Sequence, residues 1–238
     1  MSDVFLELEN VTAGYHGQPV VREVSFGVAE GAAIAIIGPN GHGKTTLLRC
    51  ISGLIPVMGG SIRAGGRPIG GVRPEKIVEL GLVHIPQGDL VFPEMSVADN
   101  LMMGAYLPAA YAKAGERLRT VFQIFPRLDE RKRQVASTLS GGERRMLAIG
   151  RGLMSGGRLL MIDEPSLGLA PIAVDQIYEV IRALKEEGRT ILIVEENVSR
   201  VMNFADYIYL LDHGEFVWQG GADDLKTNPQ ILSTYLGA

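Results

Sequence analysis

The sequence predicts an α/β fold: a parallel sheet flanked by helices, an antiparallel β subdomain at the N-terminus, and an inserted helical subdomain. Three observations lead there. The runs 32–37 (AAIAII), 158–162 (RLLMI) and 190–194 (TILIV) are short, continuous and rich in β-formers, as strands buried on both faces are. Helical periodicity lies between them: Ile177, Val180, Ile181 and Leu184 repeat at i, i+3, i+4, i+7, and Gly188 follows as a stop signal. Residues 1–28 instead alternate apolar and polar (VFLELEN, VVREVSFGV), the pattern of strands with one wet face.

The remaining segments fit this frame. From about 89 to 157 the patterns are helical with no convincing strand, so residues 1–88 and 158–238 are expected to form a core around a helical insert at about 89–157. The stretch YIYLLDHGEFVWQG predicts a hairpin turning at His213-Gly214, with short helices onward to Ala238. Glycine is abundant, at 30 residues, but falls singly at the ends of apolar runs as turn punctuation.

Composition narrows the function. A chain of 238 residues with 46% hydrophobic and 21% charged residues can pack one domain. A net charge of −4 argues against a nucleic-acid partner. The charged stretch Arg127 to Arg133 alternates in sign and reads as a solvated helix or turn. The single cysteine, Cys50, sits in an apolar helical stretch and excludes an internal disulfide, and the four scattered histidines offer no zinc-ligand spacing. No run approaches the roughly 18 apolar residues of a membrane span, and the N-terminus lacks the basic and apolar regions of a signal peptide. A cytosolic chain that reaches a membrane only through a partner is the expectation.

The chemistry begins at Gly38-Pro39-Asn40-Gly41-His42-Gly43-Lys44-Thr45, a complete G-x-x-x-x-G-K-[ST] loop between a predicted strand and a predicted helix that continues with Thr46. Its glycines turn backbone N–H groups toward phosphate oxygens, and the helix start adds partial positive charge. Lys44 would reach the β and γ phosphates of ATP, and the Thr45 hydroxyl would ligate Mg²⁺. The strand RLLMIDEP ends in two acids: Asp163 as a second Mg²⁺ ligand and Glu164 as the group that orients or deprotonates water. The core is therefore expected to be a P-loop NTPase of the RecA-like kind.

A second phosphate-ready helix start appears at Thr138 to Arg151 (TLSGGERRMLAIGR). One nucleotide needs one such cradle, so the second suits a nucleotide held by another chain. Here the sequence closely resembles the ABC ATPase family over essentially its whole length, with Leu139-Ser140-Gly141-Gly142-Glu143 as the signature. The resemblance implies that Tyr15 stacks on adenine, that Gln87 contacts Mg²⁺ and water, that Ser140, Gly141, Gly142 and Glu143 serve a partner's nucleotide, and that Ser166 to Leu169 crosses a dimer interface. It implies two kinds of partner, a second ABC ATPase subunit and membrane permease subunits docked around Gln87 to Asp99. A periplasmic substrate-binding protein would act indirectly, with the chain peripheral on the cytoplasmic face of the bacterial inner membrane.

Two departures narrow the resemblance. Glu196 stands where the family usually has a histidine near the γ-phosphate, a catalytic position where a carboxylate would be repelled unless protonated or turned away. Leu169 stands where aspartate is common. With LSGGE, DEPSLGLAP, NLMMGAY (100–106) and a YLG ending, the chain is similar to the second ATPase subunit, LivF type, of branched-chain amino-acid importers. Ancestry of that kind implies an asymmetric heterodimer. A silent ATP-binding clamp, and import of urea, amides or aromatic acids, stay open at this point. A repair or translation ATPase would carry tandem cassettes, long coiled coils or basic arms, and a P-loop kinase or GTPase would leave the LSGGE helix unexplained.

Overall fold

The computed structural model describes residues 4–88, 90–228 and 231. The N-terminal strands β1 (Val4–Tyr15) and β2 (Gln18–Ala29) form an antiparallel hairpin. Strand β3 (Ala33–Ile37) leads through the glycine loop into helix α1 (Lys44–Ile51), and β4 (Val57–Ala64), β5 (Arg67–Pro68), α2 (Pro74–Glu79) and β6 (Leu82–Ile85) follow. Next come α3 (Val97–Met103), α4 (Pro108–Tyr111), α5 (Ala114–Ile124), α6 (Pro126–Glu130) and α7 (Gly141–Met154). The chain then returns through β7 (Leu159–Asp163), α8 (Pro171–Glu186), β8 (Thr190–Glu195), α9 (Val198–Val201), β9 (Tyr207–Asp212), β10 (Glu215–Gly220) and α10 (Ala222–Lys226). The expected helices beyond α10, and the YLG ending, lie outside the described residues.

Two sheets result, a four-stranded one ordered β2-β1-β4-β5 and a six-stranded one ordered β10-β9-β3-β8-β7-β6. The apolar runs take the central places of the second sheet: β3 pairs in parallel with β8 and β9, and β7 with β8. Every residue of β3, β7 and β8 is buried, which is why these strands read as continuous rather than alternating. Strand β10 closes one edge antiparallel to β9 through the His213-Gly214 turn. The parallel arrangement brings the C-terminal ends of β9, β3, β8 and β7 to one edge, where α/β folds bind their ligands.

The described chain divides into two compact units: Met1–His84 with Arg158–Glu164 and Leu184–Ala238, and Ile85–Gly157 with Pro165–Ala183. The first contains a core built from Phe5, Leu6, Leu8, Val28, Ile36, Leu47, Leu192 and their neighbours. Cys50 is buried in it, and burial pushes its thiol up to about 11. The second unit holds α3 to α7 and also takes in the loop after Glu164 and most of α8. The local cause is close packing: a Cβ on Gly142 would fall 2.7 Å from Ala173 Cβ. Arg127 to Arg133 lies in and after α6, tied by exposed ion pairs Arg127–Glu130 and Lys132–Asp129.

Candidate functional site

The first unit assembles most of the predicted nucleotide residues at the C-terminal edge of the parallel sheet. Gly38, Gly41 and Gly43 adopt φ of 154°, 83° and 106°, backbone that other residues rarely accept. At Gly38 the constraint is also spatial, since a Cβ would lie 2.1 Å from Leu211 O. Helix α1 has no acid in its first turn, which leaves its N-terminal N–H groups and dipole for an anion. Thr46 is buried in that same turn.

Lys44 is 3% exposed. Its Nζ donates to Gly38 O (2.8 Å) and Pro39 O (3.1 Å), and lies 3.1 Å from Glu164 Oε1. The ammonium is thus fixed inside the loop, pointing where a phosphate would sit. Thr45 Oγ1 donates to Asp163 Oδ1 (3.0 Å), so a hydroxyl and a carboxylate meet at a partly buried point. That all-oxygen donor set fits Mg²⁺, and glycine backbone with a caged lysine fits the triphosphate.

Glu164 follows β7 with a φ of 41°, a left-handed conformation that costs a non-glycine residue about 1 kcal/mol or more. Its N–H donates to Val194 O (3.0 Å). Strained backbone of this kind persists where neighbours over-determine it, and here it aims the carboxylate at Lys44.

Glu196 follows β8 at the same edge. Its Oε2 accepts from Asn40 Nδ2 at 2.7 Å. The carboxylate is thus engaged by the phosphate loop itself, an arrangement the sequence did not reveal. The preceding Glu195, buried and unnoticed in the sequence, accepts from Glu196 N (3.0 Å) and Asn197 N (3.4 Å) and shapes the turn. Tyr15 ends β1, and its hydroxyl accepts from Arg49 Nη1 of α1 (3.3 Å), which tethers the ring beside that helix. His42 turns its side chain away from the loop toward Asp212.

The second unit carries the other set. Ser140 caps α7: Glu143 N donates to Ser140 Oγ (3.3 Å), while Ser140 N and Oγ donate to Glu143 Oε2 (2.9 and 2.8 Å). This is a complete capping box. Glu143 also pairs with Arg131 at 2.9 Å. Its carboxylate is therefore used within the chain, to hold the Ser140-Gly141-Gly142 turn in shape. Gly141 packs against Leu169 of the Ser166–Leu169 loop.

Burial opposes ionisation of Glu143, but the Ser140 hydrogen bonds and the Arg131 and Arg127 charges outweigh it and hold the carboxyl below the usual glutamate range. A depressed acid stabilises the fold above its unfolded pKa, and that contribution is lost as pH falls through the folded value. Urea midpoints at pH 7 and pH 4 should therefore lie closer together in Glu143→Gln than in the wild type; an unchanged gap contradicts the assignment.

Sequence reasoning missed Arg145. It is 1% exposed on α7. Its Nη1 donates to Pro86 O (3.1 Å) and Gly88 O (2.8 Å), the carbonyls on either side of Gln87. A buried guanidinium thus joins the capped helix to the Gln87 loop within one unit. Arg151 of the same helix donates to Leu90 O further along that segment.

Comparison with known proteins gives the family. The family described as ABC transporter matches residues 21–167. The chain is 40% identical to the high-affinity branched-chain amino acid transport ATP-binding protein BraG of Pseudomonas aeruginosa, over 98% of this chain and 99% of that protein. It is 31% identical to BraF of the same organism, named for the same transport, over 100% and 99%. Among solved structures, an ATP-binding cassette of an ABC transporter in its ADP conformation superposes with a TM-score of 0.84 at 28% identity, covering 98% of each chain.

Proposed function

The chain belongs to the ABC transporter family, as an ATP-hydrolysing subunit, and on that premise we propose that it powers an importer as one of two unlike cassettes beneath a membrane permease. One observation carries the reading. A single chain holds two anion-ready helix starts, α1 behind Gly43 and α7 behind Ser140, on separate units. One site then uses this chain's Lys44, Thr45, Asp163 and Glu164 with the partner's signature. The other uses the partner's core with this chain's Ser140, Gly141 and Gly142.

Within its own site, Lys44 binds the phosphates, and Thr45 and Asp163 hold Mg²⁺. The cation supplies charge neutralisation for the transferred phosphoryl group. Glu164 orients water and takes its proton. Gln87 keeps the role toward Mg²⁺ and water that the family resemblance implies, and Tyr15 its role toward adenine. Two ATPs draw the cassettes together, and hydrolysis removes the phosphate each signature was holding.

The proposed dock for the permease is the segment around Gln87 to Asp99, and the exposure of Leu90 and Phe92, at 62% and 41%, supports it; Asp89 lies outside the described residues. No helix among the described residues is long and apolar enough to cross a membrane. The proposed place of the subunit is peripheral, beneath the permease on the cytoplasmic face of the inner membrane. Branched-chain amino acids are the proposed cargo, delivered by a periplasmic binding protein. That one organism has two ATP-binding proteins named for the same transport, BraG and BraF, both similar to this chain, supports an unlike partner cassette. Cells lacking this chain should lose uptake of labelled leucine, isoleucine and valine; undiminished uptake overturns the cargo.

Glu196 favours a weaker site on this chain, because a carboxylate engaged by Asn40 supplies no positive charge to the γ-phosphate. Glu196→His should raise ATP turnover of this chain; no gain contradicts the impairment.

A further inference from the structure

His42 is the variable residue before the last loop glycine, and the structure sets it against the β9–β10 turn, 170 residues away. Its Nδ1 lies 2.7 Å from Asp212 Oδ1, and His213 Nε2 lies 3.9 Å from that same oxygen. The two imidazole rings are 4.4 Å apart between centroids and tilted by 32°. One ligand atom from each of the three residues lies within 4.8 Å of the others.

Backbone contacts fix this arrangement. Gly214 N donates to His42 O (3.1 Å), Arg22 N to Gly214 O (2.8 Å), and Arg22 Nη1 to His213 O (2.9 Å). Gly214 has a φ of 86°, and a Cβ there would meet Val20 O at 2.0 Å, so the turn is packed too closely to drift. His213 N also donates to His42 Nδ1 (3.2 Å). An imidazole nitrogen has one lone pair, so an ion bound at His42 Nδ1 would replace this amide contact and share the Asp212 carboxylate beside it.

We propose that His42, Asp212 and His213 form a binding site for a divalent transition metal, with Zn²⁺ the expected occupant. Two imidazoles and one carboxylate suit Zn²⁺, Co²⁺, Ni²⁺ or Cu²⁺, whereas Mg²⁺ takes oxygen ligands and dehydrates reluctantly. Tetrahedral Zn²⁺ with bonds of about 2.1 Å separates its ligand atoms by about 3.4 Å. The separations of 2.7 and 3.9 Å bracket that value, within reach of small side-chain rotations. The His213 side chain is 81% exposed, which gives the ion an entry path and leaves water to complete its shell. The site is distinct in its donors from the Thr45–Asp163 pair, and the metal would tie the phosphate-binding loop to the hairpin.

Calorimetric titration of the full chain with Zn²⁺, without nucleotide, tests the proposal. The expected result is one ion per chain, a higher Tm, and affinity reduced by at least about tenfold in both His213→Ala and Asp212→Asn. Mg²⁺ should not compete for the site. His213 is exposed enough that its alanine variant folds, so a failure to fold does not blur the outcome. No saturable Zn²⁺ binding below about 1 mM, or equal binding in wild type and His213→Ala, overturns the site.

Discussion

Replacing Glu164 with glutamine lowers ATP turnover by roughly a hundredfold or more, the usual contribution of a positioned general base, and at the same time strengthens ATP binding. Both effects come from one contact. Glu164 Oε1 lies 3.1 Å from Lys44 Nζ, and both side chains are nearly buried. In that position the carboxylate competes with phosphate for the ammonium and repels incoming charge. Glutamine keeps the size and the strained backbone but removes both the base and the competing charge. Tm should therefore rise further on adding Mg²⁺-ATP in Glu164→Gln than in the wild type, while phosphate release falls. Unaltered phosphate release, or weaker ATP binding in the variant, contradicts this role.

Lys44→Met has the second large effect. A charge-assisted contact to phosphate contributes about 1.5–3 kcal/mol, so ATP affinity should fall by about tenfold to a hundredfold or more. The free protein should also lose stability, by about 3 kcal/mol, because Glu164 is left buried without its cation. Removing the second charge relieves that cost. The double variant Lys44→Met/Glu164→Gln should thus be more stable than Lys44→Met alone, though equally deficient in ATP binding. Additive urea midpoints in this double-mutant cycle would show that the two charges do not interact.

What the sequence disclosed and what it hid follow from how local each feature is. The loop at Gly38–Thr45 is legible because its geometry is written in adjacent glycines and in the apolar strand before it. The buried strands β3, β7 and β8 are legible because continuous apolar runs have few other uses. The capping box at Ser140 and Glu143 spans three residues and could be read as a helix start. Long-range pairings left no mark. Asn40 to Glu196 spans 156 residues and Arg145 to Pro86 spans 59, and neither type of residue signals its partner. Arg145 in particular stands in a charged run, ERR, that reads as a wet helix face. Glu164 was legible as a carboxylate at a strand end, but not as one held at positive φ. Histidine spacing gave no metal signal because His42 meets Asp212 and His213 only through the order of β9 beside β3.

The assembly of a working site from two chains is tested most directly by steady-state ATPase of the purified chain with Mg²⁺ at rising protein concentration. Two copies can meet through the same faces that would receive the partner cassette, so turnover per chain should rise with concentration and vanish in Glu164→Gln. Substantial turnover per chain that stays constant as the protein is concentrated would mean that one chain hydrolyses ATP alone, and that the Ser140 helix start has no place in the working site; near-zero turnover throughout would mean that the unlike partner is required.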